Sequence, residues 1–269
     1  MPHVLLASGV RLYYEEYLPV KSTEGIPVIF LHGFMLDRRM WTFQVERFGQ
    51  AHRSIFVDAK GHGLSDTPDS GYGRDERVED LRLLATALAI DRFHLIGFSL
   101  GGATALGFAL TYPERLQSLT LVAAPVARHR FFKWVTKLDT LAKEQGAEVA
   151  RKAWLDRIMP YYAPPELQEI GEMMRQMIID QPLAVWNDPM RGKYLTEADT
   201  DRLQKISTPT CVIAGTRDRV FVEMASIMNE RIPSVEQHIV TNCGHMVPLE
   251  RPELFNDIVL EFLSKHVEY

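Results

Sequence analysis

The sequence lacks the features that mark several large classes of protein. Its 269 residues include two cysteines, Cys211 and Cys243, whose spacing is not that of a metal site. No apolar run approaches the ~20 residues that a membrane-spanning helix needs. The N-terminus has neither the basic start nor the long apolar core of a signal peptide. We therefore expect two free thiols, no metal, no membrane insertion and a cytoplasmic location.

The chain also lacks an excess of positive charge. The chain has 30 Lys and Arg against 35 Asp and Glu, a net charge of −5, and no basic block. This balance argues against nucleic acid and anionic membranes as partners. Hydrophobic residues make up 46% of the chain, enough to bury a sizeable core, and no repeat or low-complexity segment is visible. The length suits one large α/β domain with an insertion.

The stretch FHLIGFSLGGATALGFAL, residues 93–110, organises the chain. Its first residues predict a buried strand, and the small-residue run after Gly102 predicts a helix packed closely on a sheet. Between them lies Gly97-Phe98-Ser99-Leu100-Gly101, a serine flanked by glycines at a strand-to-helix turn, which is the pattern of a nucleophile elbow. Glycine is needed because a side chain at so sharp a turn would collide with its neighbours. We interpret Ser99 as a nucleophile; the alternative is an ordinary strand–loop–helix junction.

Buried-strand runs alternate with helical spacing along most of the chain. Strands are predicted at 4–6, 11–17, 26–31, 54–57, 93–96, 116–122, 210–214 and 235–240. Helices are predicted at 40–48, 77–88, 102–110, 221–231 and 252–266. This alternation indicates a mostly parallel sheet covered by helices on both faces.

Residues 126–195 interrupt the alternation. They show no buried-strand signature, have helical character, and are broken by prolines at Met159-Pro160 and at three later places. We predict a helical cap (lid) at 126–195 between two parts of an α/β core, 1–125 and 196–269. Its aromatic residues could line a pocket or form the cap's own core: Trp134, Trp154, Trp186, Phe131, Phe132, Tyr161 and Tyr162. Its arginines could bind a substrate carboxylate or lie on solvated faces: Arg128, Arg130 and Arg191.

A nucleophilic serine needs two partners. An imidazole must take its proton, and a carboxylate must hold the imidazole's tautomer. The chain order that accompanies an elbow is Ser, then Asp or Glu, then His. His245 lies in a turn after the last strand, and Asp218 directly follows the strand at 210–214. The alternatives are a turn histidine, and an aspartate that caps a helix or pairs with Arg217 or Arg219.

The developing oxyanion needs donors, each worth roughly 3–4 kcal/mol by mutagenesis. We assign them to the backbone N–H groups of Leu100, the residue after the nucleophile, and of Phe34 in the loop His32-Gly33-Phe34. Gly33 would let that loop approach closely. We expect His32 to be a structural hydrogen-bonding residue of the loop.

Taken together, these motifs resemble the α/β-hydrolase superfamily. The resemblance covers nearly the whole chain in family order: the His32 loop, the turn Gly61-His62-Gly63-x-Ser65, the elbow, the Asp218 loop and Gly244-His245. It implies an α/β fold with an eight-stranded, mostly parallel sheet in which only the second strand is antiparallel. It also implies a helical cap and a Ser99–His245–Asp218 hydrolase that needs no cofactor.

Substrate class follows from finer comparisons within the superfamily. Haloalkane dehalogenases carry an aspartate where this chain has Ser99. C–C bond hydrolases share the elbow, but usually have an Asn in the oxyanion loop and a Trp where this chain has Met246. Menaquinone-pathway synthases tend to have an Arg at the position of Ala103. His32-Gly33-Phe34 followed by Trp41 is similar to the esterase and enol-lactonase branch.

We therefore expect a serine esterase that cleaves a carboxylic ester of a small or medium, largely apolar substrate. Its pocket is expected at Phe34, Met35, Trp134, Trp186 and Met246. A lactone, an enol-lactone or a C–C bond is the alternative substrate on the same triad. A ligand-binding or signalling protein of the same fold is a further alternative. The same triad would also allow a perhydrolase side activity, which the sequence does not decide.

Overall fold

An eight-stranded sheet forms the centre of the structure, a computed structural model that describes residues 2–19, 25–126, 132–162, 167–188 and 197–267. Side chains at 132–135, 158–162 and 197–198 are outside that description. The strands are β1 (His3–Leu5), β2 (Arg11–Tyr17), β3 (Val28–Leu31), β4 (Ser54–Val57), β5 (Phe93–Phe98), β6 (Leu116–Val122), β7 (Thr210–Gly215) and β8 (Val235–Val240).

The strand order is β1-β2-β4-β3-β5-β6-β7-β8. β2 runs antiparallel to both of its neighbours, and every other pairing in this sheet is parallel. The predicted topology is therefore confirmed. Strands β3 to β7 are buried at every residue, which requires cover on both faces and explains their unbroken apolar runs.

The helices supply that cover. They are α1 (Val45–Ala51), α2 (Arg74–Ala87), α3 (Leu100–Thr111), α4 (Phe132–Gln145), α5 (Ala147–Tyr162), α6 (Gln168–Asp180), α7 (Glu197–Arg202), α8 (Arg219–Arg231), α9 (Val247–Glu250) and α10 (Pro252–Ser264). In the described part of the chain, none of them is long and apolar enough to cross a membrane.

The helices differ from the sequence predictions in several places. The helix expected at 40–48 is divided into a 3-10 turn at Arg38–Trp41 and α1, because the Asp37 carboxylate accepts the Arg39 N–H at 2.9 Å and starts the 3-10 turn early. The break expected at Met159-Pro160 is wrong. Pro160 lies in the last turn of α5, where its missing N–H removes one bond near the helix end. Neither α7 nor the four-residue α9 was predicted.

The segment between β6 and β7 is helical where the structure describes it. It holds α4, α5, α6 and a 3-10 turn at Ala184–Asn187, and its described residues before α7 include no strand. The parallel strands on either side end at one edge of the sheet. That edge collects the loops after β3, β5, β7 and β8, in which the predicted site residues occur.

Both cysteines are buried free thiols, as predicted. Burial raises the pKa of Cys211 and of Cys243 to about 12. Both groups therefore remain protonated, uncharged thiols at neutral pH.

A buried histidine in β5 makes the free energy of unfolding depend on pH. His94 is almost fully buried, its Nδ1 lies 2.7 Å from Ser118 Oγ, and desolvation lowers its pKa from 6.5 to about 3. Below pH 6.5 the unfolded chain binds a proton that the folded chain does not. Stability is therefore complete above pH 6.5 and falls as the pH drops toward 3. The loss from His94 between pH 6.5 and 5 is expected to be about 2 kcal/mol.

Replacing His94 with Gln removes this titration. Urea unfolding of the wild type and of His94→Gln at pH 7 and pH 5 is expected to show a smaller acid loss in the variant, by about 2 kcal/mol. If both proteins lose the same free energy of unfolding between pH 7 and pH 5, the assignment of this pH dependence to His94 is contradicted. Buried His62, whose pKa is also lowered to about 3 by desolvation, is present in both proteins and so does not affect the comparison.

Candidate active site

Ser99 occupies a strained turn between β5 and α3. Its φ of +50° and ψ of −109° fall in a region that residues with a side chain rarely adopt. The strain is held from both sides, because the Ser99 N–H donates to the Val122 carbonyl at 2.9 Å and its carbonyl accepts from the Ala103 N–H at 3.0 Å. Ser99 is half-buried and lies at the carboxyl edge of the sheet.

The elbow glycines are required by close backbone contacts. A Cβ on Gly97 would lie 2.4 Å from the Gly101 carbonyl oxygen, and one on Gly101 would lie 2.3 Å from the Leu31 carbonyl oxygen. A Cβ on Gly102 would lie 2.6 Å from the Ala124 Cβ. Backbone atoms cannot move aside as a flexible side chain can, so the collision inferred from the sequence is present in the structure.

Asp218 and His245 form a buried pair. His245 Nδ1 lies 2.5 Å from Asp218 Oδ2, and both side chains are fully buried. The imidazole also packs against the rings of Phe98 and Phe221, with centroid distances of 4.9 and 4.5 Å. Phe98 directly precedes Ser99, so the contact brings the histidine loop to the elbow.

Asp218 serves two structural roles at once. Besides contacting His245, it caps α8 by accepting the Phe221 N–H at 3.4 Å. The helix-cap alternative and the histidine contact are therefore both present. The positive end of the α8 dipole stabilises the carboxylate in a place where water does not reach.

The two proposed oxyanion donors lie on neighbouring segments, the start of α3 and the loop after β3. Leu100 begins α3, so its N–H has no intrahelical acceptor. The Gly101 N–H donates to the His32 carbonyl at 3.0 Å, which joins the elbow to the loop that carries Phe34. A Cβ on Gly33 would lie 2.8 Å from the Phe98 ring, as expected for a close approach.

Both ring nitrogens of His32 form hydrogen bonds with backbone groups. Its Nε2 accepts the Ala59 N–H at 2.9 Å, and its Nδ1 lies 2.8 Å from the Gly33 carbonyl. A carbonyl can only accept, so the proton is on Nδ1. The imidazole therefore links the loop after β3 to the loop after β4, in agreement with the structural role predicted for it.

Aromatic side chains from the helical segment contact Phe34. The Phe34 ring meets Trp186 at a centroid distance of 5.0 Å and Trp154 at 5.2 Å, both edge to face. Met35 and Met246 are fully buried. Of the other predicted residues, the side chains of Trp134, Phe132, Tyr161 and Tyr162 lie outside the described part, as do Arg128, Arg130, Phe131 and Arg191 entirely.

Gln181 ties the helical segment to the loops of the sheet edge. This buried side chain accepts the Gly63 N–H at 2.8 Å and donates to the Asp37 carboxylate at 2.9 Å and to the Met177 carbonyl at 3.0 Å. Arg39 bridges Asp37 to Asp180. The sequence analysis missed this connection, because Gln181 lies 118 residues from Gly63 and 144 residues from Asp37, and no local pattern signals a contact over such separations.

No group of three or more His, Cys, Asp or Glu side chains able to hold a metal ion occurs among the described residues. The predicted site residues that the structure describes are instead serine, histidine, one carboxylate, backbone amides and apolar side chains.

Comparison with known proteins gives matches along nearly the whole chain. A family described as the alpha/beta hydrolase family matches residues 28–258. A putative 2-succinyl-6-hydroxy-2,4-cyclohexadiene-1-carboxylate synthase of Bacillus subtilis is 30% identical, with 97% of this chain and 98% of the relative covered.

Two solved structures extend the comparison. A thermophilic esterase from Thermogutta terrifontis is 27% identical, with a TM-score of 0.86, and 99% of this chain and 100% of that one are covered. Est816, described as an N-acyl homoserine lactone degrading enzyme, is 27% identical with a TM-score of 0.78, and the covered shares are 97% and 100%.

The backbone contact at Gly101 gives a direct test of the elbow geometry. Gly101→Ala is expected to lower the free energy of unfolding by about 3 kcal/mol, the upper end of overpacking costs, because the new Cβ meets carbonyl oxygens. Gly25→Ala is the matched control, since a Cβ there meets nothing within 4 Å. Its effect is expected to stay within about 0.5 kcal/mol. Urea unfolding followed by circular dichroism measures the free energy of unfolding of both variants. Equal losses in Gly101→Ala and Gly25→Ala would contradict the close backbone contact at Gly101.

Proposed function

Because the chain belongs to the α/β hydrolase family, we propose that it is a serine hydrolase that cleaves a carboxylic ester through an acyl-enzyme. The observation that carries the proposal is the buried Asp218–His245 pair, whose imidazole packs against the residue preceding Ser99. Acyl transfer by a serine needs a histidine base whose imidazole is oriented by a carboxylate, and the Asp218–His245 pair supplies these two groups.

The tautomer of His245 follows from its partner. An ionised carboxylate only accepts hydrogen bonds, so the Nδ1 that faces Asp218 carries the proton. Nε2 is then the basic nitrogen available to the serine hydroxyl. As His245 becomes an imidazolium, the Asp218 charge stabilises it strongly, because both groups are excluded from water.

The proposed reaction has two halves. Ser99 Oγ attacks the ester carbonyl while His245 Nε2 takes its proton, and the backbone N–H groups of Phe34 and Leu100 donate to the oxyanion. Collapse breaks the bond to the alcohol, which leaves with the proton from His245. In the second half a water loses a proton to His245 Nε2 and attacks the acyl carbonyl; the bond from that carbon to Ser99 Oγ then breaks, His245 returns the proton to Oγ, and the acid leaves.

The helical residues 126–195 act in this proposal as a cap over the site, between core parts 1–125 and 196–269. Trp154 and Trp186 contact Phe34, the proposed oxyanion residue, so the cap places apolar surface beside the reacting centre. This supports a small or medium, largely apolar acyl or alcohol group as the substrate. Phe34, Met35, Trp134, Trp186 and Met246 are proposed to line its pocket.

A lactone is the second candidate substrate. It is a cyclic ester, so the same attack opens the ring and leaves the alcohol attached to the acyl group. The similarity to Est816 favours including it. Cleavage of a C–C bond on the same triad and ligand binding without turnover are less favoured alternatives. The relative from Bacillus subtilis is named as a synthase, but Ala103 stands here where synthases of that kind tend to carry an Arg.

The first test is hydrolysis of p-nitrophenyl esters from acetate to laurate. The wild type is expected to show a chain-length optimum, and Ser99→Ala and His245→Gln are expected to lower kcat by about 10³-fold or more. Mass spectrometry of the quenched wild type is expected to place the acyl group on Ser99.

Equal inactivity of wild type and Ser99→Ala on every ester would exclude simple esters. An N-acyl homoserine lactone and an enol-lactone, assayed in parallel, distinguish a lactonase from a protein that performs no acyl transfer.

A further inference from the structure

A buried carboxylate binds the backbone on both sides of His245. The Glu250 side chain, 1% exposed, lies at the end of α9 and turns back toward the histidine loop. Its Oε2 accepts the Gly244 N–H at 2.8 Å, and its Oε1 accepts the Met246 N–H at 3.1 Å. The two oxygens thus hold the amides of the residues before and after the proposed base.

The same carboxylate reaches the loop that carries Asp218. Arg217 Nη2 donates to Glu250 Oε2 at 3.2 Å, and the Arg217 N–H donates to the Cys243 carbonyl at 2.8 Å. The two loops also touch directly, since a Cβ on Gly215 would lie 2.2 Å from the Gly244 carbonyl oxygen. One side chain therefore links the acid loop to the base loop.

The Glu250 charge also acts on Cys243, the residue before Gly244. Burial and the nearby Glu250 charge raise the pKa of the Cys243 thiol to about 12, so the thiol stays protonated and adds no second negative charge to the loop. A buried charge needs several hydrogen-bond donors, because it has lost its hydration. Glu250 has two backbone amides and a guanidinium.

Helix capping explains only part of this arrangement. Glu250 is the fourth residue of α9 and accepts the N–H of Met246, the residue before the helix, so this contact helps to cap α9. Gly244 and Arg217, however, lie outside α9. Their bonds hold the loops rather than the helix, which points to a role in the geometry of the site.

We propose that Glu250 is a positioning residue that directs the His245 imidazole between Asp218 and Ser99, a role that rests on the proposed function of Ser99. With the amides of residues 244 and 246 bound, the backbone at 245 has little freedom to turn. The Phe98 and Phe221 rings then restrict the imidazole itself. A displacement of about 1 Å at a reacting group can lower the rate by about 10²-fold.

Glutamine cannot replace Glu250 in this role. The two amides require two acceptor oxygens, and a carboxamide has one oxygen and one NH₂ group. In Glu250→Gln, either the Gly244 or the Met246 N–H would face another donor. The variant keeps the size of the side chain and removes half of the contact.

Asp188→Asn is the control for the loss of a buried charge. Asp188 is also buried, and its Oδ2 accepts the backbone N–H groups of Gly71 at 2.9 Å and Tyr72 at 2.8 Å. Because a single oxygen binds both amides, the carboxamide oxygen of Asn can keep both bonds while the charge is lost. The variant therefore reports what the loss of a buried carboxylate charge does to folding, in loops separate from those of Asp218 and His245.

The readout that needs no substrate is the proton NMR signal of His245 Nδ1–H. Its hydrogen bond to Asp218 is expected to place this signal well downfield of the amides, and His245→Gln identifies it by removing it. We expect the signal to vanish or move upfield in Glu250→Gln and to remain in Asp188→Asn. On the best ester, Glu250→Gln is expected to lower kcat at least 10-fold while KM changes less than threefold, because the loss affects the transition state.

An unchanged Nδ1–H signal together with a kcat within twofold of wild type would overturn the proposal. If Glu250→Gln does not fold by circular dichroism, Glu250→Asp replaces it, keeping the charge while withdrawing the oxygens by about one bond length, with a weakened signal and reduced kcat expected. If the wild type hydrolyses no ester, the proposed function fails, and the NMR comparison still decides the role of Glu250.

Discussion

Separate backbone segments lie in direct contact at the carboxyl edge of the sheet, and the rest of the site depends on these contacts. A Cβ would lie 2.2–2.4 Å from a carbonyl oxygen of another segment if one were added to Gly97, Gly101 or Gly215. Side chains on those three positions would push the loops apart. Because the loops touch, Ser99 projects from the elbow, and the histidine loop lies directly beside the aspartate loop.

Loops without regular structure must find acceptors for their amides, and here buried carboxylates supply them. Asp58 accepts the Arg38 N–H at 2.8 Å and the Leu64 N–H at 3.0 Å. Asp37, Asp188 and Glu250 do the same for other loop amides. An orphaned buried amide and a buried charge are each costly, but together they form a charge-assisted hydrogen bond. The acids of this edge therefore hold loops, and Asp218 differs in holding an imidazole as well.

Phe34 belongs both to the proposed oxyanion hole and to the proposed substrate pocket. Its backbone N–H is the proposed oxyanion donor, while its ring lies against Trp154 and Trp186 of the helical segment. Gln181 fixes the same segment to Asp37, three residues further along that loop. A change in the packing of the segment would therefore reach the backbone at Phe34 through a short, buried path. If both proposed roles hold, the pocket and the reacting centre are coupled through this residue.

The sequence by itself determined the strands, the helices between and after the strands outside residues 126–202 apart from the short α9, and the sharp glycine turn at Ser99, because apolar periodicity and glycine act locally. It also predicted the order of Ser99, Asp218 and His245, whose roles stay a prediction. Only the tertiary structure decided that Asp218 both caps a helix and contacts His245, and that Gln181 and Glu250 hold distant loops. These contacts depend on where side chains from separate segments point after folding, and residue spacing along the chain carries no information about that direction.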